Sequence, residues 1–153
     1  MTALNRLEDV LGQGLIKTVC NVPFSSSLDG WRIVGDAADG YPNTDYGYAD
    51  VRFQAYPGDA YFTHDPYRIT GGVQYRLSCQ VKAFNFQVYN IPFTLFFDNG
   101  DPISGDITNT TTSAFTLFEQ VFTAPEGART LTLEFGPNAP NFMMQNLLIE
   151  AVE

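Results

Sequence analysis

The stretch VQYRLSCQVKAF, residues 73–84, alternates apolar and polar side chains over eleven positions. Val73, Tyr75, Leu77, Cys79, Val81 and Ala83 fall in one phase, and Gln74, Arg76, Ser78, Gln80 and Lys82 in the other. Only an extended strand gathers a strict period-two set on one side, because a helix would scatter it around its circumference. One strand cannot bury that apolar side alone, and a lone hairpin is marginal in water. The stretch therefore commits the chain to a sheet with one covered face and one solvated face, closed by a second layer.

Similar signals recur along the chain. LIKTVC (15–20), WRIVG (31–35), YADVRFQA (48–55), AYFTH (60–64), VYNIPFTLFFD (88–98), AFTLFEQVFTA (114–124), RTLTLEF (129–135) and FMMQNLLIEAV (142–152) all read as strands. In YADVRFQA, Ala49, Val51, Phe53 and Ala55 share one phase. The continuous apolarity of 88–98 predicts cover on both faces, and its Pro92 predicts an edge or a bulge. Asn99-Gly100 is a favoured hairpin dipeptide. The segment 122–136 reads as an edge of a sandwich, with Leu131, Leu133 and Phe135 pointing inward. Thirteen Phe and eight Tyr suit pleated surfaces, and 13 Gly with 9 Pro supply frequent turns. The expectation is all-β, a jelly-roll β-sandwich of about nine or ten antiparallel strands over residues 15–153. Residues 1–14 form a separate arm in which 2–11 read as a short N-terminal helix, with Thr2 as cap, Leu4, Leu7 and Leu11 at helical spacing, and Ala3 and Val10 flanking that stripe. So short a helix needs something to dock on, either an open end of its own sandwich or a neighbouring subunit.

Several function classes are disfavoured. A net charge of −9, with eight basic residues spread along 153 positions, provides no track for nucleic acid. The first residues lack a secretory pattern, and no apolar run approaches the ~20 residues of a membrane span. Cys20 and Cys79 match no metal or redox spacing and fall in apolar phase, as two buried thiols. The single histidine, His64, has no nucleophile motif beside it and reads as surface or satisfied core. Asp98, Asp101 and Asp106, and Asp36, Asp39, Asp45 and Asp50, sit in Gly- and Pro-rich turns and match no calcium loop. No enzymatic role, metal or cofactor is expected.

Three phrases carry a family resemblance. NVPFSSSLDGWRIVG, ITGGVQYRLSCQVKA and FEQVFTAPEGARTLTLEFG followed by NFMMQNLLIE resemble, in order, the opening, central and closing segments of jelly-roll, galactose-binding-like carbohydrate-binding modules. The resemblance covers most of residues 20–150 and implies the fold more than a ligand. It also implies a structural Ca²⁺ site, but the matching positions here are Ser25, Gln145 and Asn146, which offer no carboxylate. Trp31 falls at the family's structural Gly-Trp position, so it is expected in the core.

Two roles follow as expectations. The first is an assembly protein that decorates or cements a phage-like capsid or tail particle. It would sit on the virion surface and grip neighbouring capsid or tail subunits, or its own copies, through Leu4, Leu7, Val10 and Leu11. The start at Met1, the absence of an export signal and of an attached enzyme domain, and the dependent helix suggest it. The alternative is a glycan-binding module. Its stacking platform would come from tyrosines, chiefly Tyr41, Tyr46, Tyr48, Tyr56 and Tyr89, with Tyr61 and Tyr67 also in the set. Arg76, Gln80 and Lys82 would supply hydrogen bonds.

Overall fold

The computed structural model describes residues 15–84, 90–108 and 110–152. The predicted helix with Leu4, Leu7, Val10 and Leu11 lies outside the described residues, as does Tyr89. Eleven strands follow in order: β1 (Thr18–Val22), β2 (Arg32–Val34), β3 (Ala49–Val51), β4 (Tyr61–Thr63), β5 (Tyr67–Arg68), β6 (Gln74–Ala83), β7 (Ile91–Phe97), β8 (Ile103–Ile107), β9 (Thr116–Thr123), β10 (Thr130–Phe135) and β11 (Phe142–Ala151). Every pairing is antiparallel. One sheet runs β1-β11-β6-β9, with β3 also on β11; the other runs β2-β4-β10-β7-β8, with β5 also on β10. The all-β sandwich is as expected. The count exceeds nine or ten because strands as short as β5 leave no periodic trace.

Both sheets contribute to one core. Tyr75, Leu77, Cys79 and Val81 of β6 are fully buried, as are Leu131, Leu133 and Phe135 of β10. Rings interlock across the layers, with Phe135–Phe142 centroids at 5.9 Å and Phe93–Phe118 at 5.5 Å. Such offset and edge-on pairs add to simple area burial. Cys20 and Cys79 are free, buried thiols, and burial pushes both up to about 12.

Four expectations change. β10 is not an edge; it lies between β4 and β7, a position that inward-outward alternation cannot report. β7 is interior as well, so Pro92 marks neither an edge nor a bulge. The Pro92 carbonyl accepts from Gly136 N–H at 2.8 Å, where β10 has just ended at Phe135. A strand residue's nitrogen points to the same side as its carbonyl, so the missing donor falls beyond the ladder. The outer face of β7 is not fully covered, since Phe96 is 40% exposed. In β3 the apolar phase holds for Ala49, Val51 and Phe53, but the strand ends at Val51 and Ala55 is exposed.

His64 is satisfied core. Its Nε2 accepts from Leu133 N–H at 2.9 Å, and its Nδ1 faces the Asp65 carbonyl. The ring stacks on Tyr67 at 3.9 Å and lies 4.5 Å from Trp31. Trp31, 2% exposed, donates its Nε1–H to Tyr67 Oη at 2.8 Å. Tyr67 is thereby committed to the interior rather than to a platform, and burial raises its phenol to about 12.

Candidate functional site

The solvated face of the β1-β11-β6-β9 sheet collects the polar phase of β6 and its neighbours. Rows run across the strands. Asp50 of β3 faces Met143 of β11, which faces Lys82 of β6. The next row sets Gln145 beside Gln80 and Gln80 beside Leu117 of β9. Further along, Glu150, Arg76 and Val121 form another. From Lys82 to Arg76 is six residues, roughly 20 Å of strand.

One end of this face is aromatic. The loop before β3 folds back along it through Asp50 N–H to Asn43 O at 2.8 Å and Asn43 N–H to Asp50 O at 3.3 Å. That loop presents Tyr41, Tyr46 and Tyr48. Tyr46, 72% exposed, stacks on Tyr48 at 6.4 Å, and Tyr48 meets Phe115 edge-on at 5.4 Å. Lys82 Nζ lies 5.9 Å from the Phe115 ring. Arg52 lies against two rings, Tyr41 at 4.3 Å and Phe84 at 4.2 Å. The Tyr48 phenol is raised by burial first, then by the charge of Asp50, so it stays a hydroxyl donor.

Beside the rings stands an amide cluster. Gln80 Oε1 accepts from Gln145 Nε2 at 2.9 Å and from Asn146 Nδ2 at 2.8 Å. This fixes the orientation of all three amides. The Gln80 nitrogen remains a donor, and the Gln145 and Asn146 oxygens remain acceptors. Both consecutive residues reach the outer face because β11 carries a bulge between Gln145 and Leu148, with Asn146 at φ 55°. Asn is among the few residues that adopt this conformation readily, and bulges re-aim side chains in this way.

The expected glycan residues therefore divide. Tyr41, Tyr46, Tyr48 and Gln80 belong to this one end. Arg76 lies on the same face but farther along, 3.9 Å from Glu119. Tyr56, 48% exposed, sits on the loop leading to β4 of the other sheet, and Tyr61 belongs to β4 itself. Arg52, Phe84 and Phe115 were not anticipated, and Gln145 and Asn146 were named only as positions that lack a Ca²⁺-binding carboxylate. A signal for Arg52 exists in the sequence, since Asp50 and Arg52 alternate with the apolar phase and so share the outer face. Among the described residues no three His, Cys, Asp or Glu side chains gather closely enough to hold a metal ion.

No protein-family model matches the chain, and no curated protein sequence does. Solved structures do match. The N-terminal cellulose-binding domain of Cellulomonas fimi β-1,4-glucanase C aligns with a TM-score of 0.64 at 16% identity, covering 90% of this chain and 99% of that one. The enzymatically active domain of bacteriophage CBA120 tailspike protein 4 aligns with 0.63 at 15%, covering 90% of this chain and 22% of that one. The CBM22-1–GH10 modules of Clostridium thermocellum xylanase 10B, complexed with xylohexaose, align with 0.60 at 18%, covering 91% and 29%. The chain thus spans under a third of the xylanase and tailspike chains and nearly all of the cellulose-binding domain. It has the fold of the carbohydrate-binding-module jelly rolls.

Proposed function

We propose that the protein is a non-catalytic carbohydrate-binding sandwich that holds a neutral polysaccharide on the outer face of the β1-β11-β6-β9 sheet. The observation that carries this reading is the adjoining of a ring cluster, Tyr41, Tyr46, Tyr48 and Phe115, to the oriented amides of Gln80, Gln145 and Asn146. Rings stack on the apolar faces of sugars, and fixed amides read hydroxyls. On this face Arg52 pairs with Asp50 and Arg76 lies near Glu119, while Lys82 lies against the Phe115 ring. The cellulose-binding domain and the xylohexaose complex share the fold and supply the probes. Calorimetry with xylohexaose and cello-oligosaccharides, with affinity gels of soluble xylan and hydroxyethyl cellulose, tests the reading. Tyr46→Ala and Gln80→Ala are expected to weaken retention on the order of tenfold. Wild-type protein that ignores every neutral polysaccharide would sink it.

A second reading makes the protein a decorating or cementing component on the surface of a phage-like particle, although it shares no more than its fold with a tailspike domain. Its partner contacts would be Leu4, Leu7, Val10 and Leu11 against capsid or tail subunits. Co-sedimentation with particles, lost on deletion of residues 1–14, is its test.

A further inference from the structure

The ring cluster sits on a loop, and loops of exposed polar residues rarely hold aromatic side chains in one arrangement by themselves. We infer that Arg52 is the positioning residue of this platform, a strut that sets the 37–48 loop and Phe84 before any ligand arrives; the inference rests on the glycan-binding reading for its functional consequence.

Four contacts converge on this side chain. Arg52 Nε and its terminal nitrogen lie 3.2 Å from the two carboxylate oxygens of Asp50. Asp50 is 2% exposed, so its charge requires such a partner. The planar fork then lies against Tyr41 on the loop and Phe84 at the end of β6, both within cation–π reach. The backbone carbonyl of Arg52 also accepts from Ala38 N–H at 3.2 Å, and the Asn43–Asp50 bridge lies next along the loop. One residue thus ties β3, the tyrosine loop and the end of β6. The ring contacts are not part of the core: the Arg52 side chain is 29% exposed and lies on the far side of the sheet from the packed rings. A lysine would keep the charge but lose both the fork and the flat surface that the two rings meet.

The test compares wild type, Arg52→Lys, Arg52→Gln and Asp50→Asn/Arg52→Gln. The double variant removes both charges and keeps the protein foldable if an unpaired Asp50 disrupts the single one. Two readouts are taken: amide exchange of the 37–48 segment by mass spectrometry, and affinity for xylohexaose and soluble xylan. Exchange in the loop is expected to quicken on the order of tenfold in Arg52→Lys while the β6 and β10 amides keep their protection. Affinity is expected to fall by a similar factor, and the fall should shrink in a Tyr41→Ala background, as it must if Arg52 acts through that ring. Unchanged loop exchange in Arg52→Lys and in the double variant overturns the strut, as does an affinity loss fully additive with Tyr41→Ala. Wild-type protein that binds no polysaccharide overturns the glycan reading instead, and the exchange experiment still decides whether Arg52 is the strut.

Discussion

The interior histidine offers the sharpest test of the packing. His64 uses Nε2 as an acceptor for Leu133 N–H, so that nitrogen cannot carry a proton in the folded chain without breaking a buried bond. Burial is the main cause that lowers its pKa from 6.5 to about 4; the Asp65 carbonyl and carboxylate oppose the shift, and Arg32 adds to it. The unfolded chain takes up a proton below about pH 6.5, the folded chain only below about pH 4. Between those values the unfolded state binds more protons, so stability rises with pH. The contribution is complete above about 6.5 and is lost as pH falls through the window. At about 1.4 kcal/mol per pH unit, the whole loss is about 3 kcal/mol. Urea denaturation followed by Trp31, the only tryptophan and 4.5 Å from the His64 ring, reads it directly. His64→Gln keeps an acceptor for Leu133 and does not titrate, while the carboxylates common to both proteins cancel in the difference. Wild type should exceed the variant by most at pH 7, and that margin should shrink by about 3 kcal/mol toward pH 4. A margin that stays level over this range would refute a neutral, buried imidazole.

Other expectations are simpler. Leu133→Ala, at a fully buried position in the middle of β10, should cost about 3–4 kcal/mol by denaturation, the cost of a poorly collapsing core cavity. Gly136→Ala places a Cβ 2.8 Å from the Ala60 carbonyl at φ 115°, so a loss of at least about 2 kcal/mol is expected in thermal melts. Cys20 and Cys79 should resist a thiol reagent in the folded protein and react only as fast as the chain opens, because both are buried and protonated. Labelling of either at the rate of a model thiol would contradict their burial.

What the sequence disclosed follows from which physics is local. The inward phases of β6 and β10 were legible residue by residue, since period two depends only on the strand itself. The neighbours of a strand are set by distant pairing, which is why β10 read as an edge and Pro92 as a defect. Phe53 kept the β3 phase but Ala55 did not, because an apolar alanine is tolerated at an exposed loop position as readily as inside. At the site, the loop tyrosines and Gln80 were visible as residue types. The meeting of the tyrosines with Phe84 and Phe115 needs segments over thirty residues apart in the chain to converge, and no local pattern encodes that. Asn146 was legible only as a position without a carboxylate, and its place beside Gln80 was not, because period two fails there.

That failure has a consequence for how the surface can change. Between Gln145 and Leu148 on β11 there is one more residue than between Gln80 and Ser78 opposite, so the parity of the strand reverses. Before the bulge Phe142 and Met144 are the inward residues; after it they are Leu147 and Ile149. Deleting Asn146 would restore unbroken alternation with the same four side chains still facing the core. The interior therefore has no stake in this residue, and the outer face gains a second amide from it. A single-codon insertion or deletion could add or drop that amide and leave the packed half of the molecule as it was.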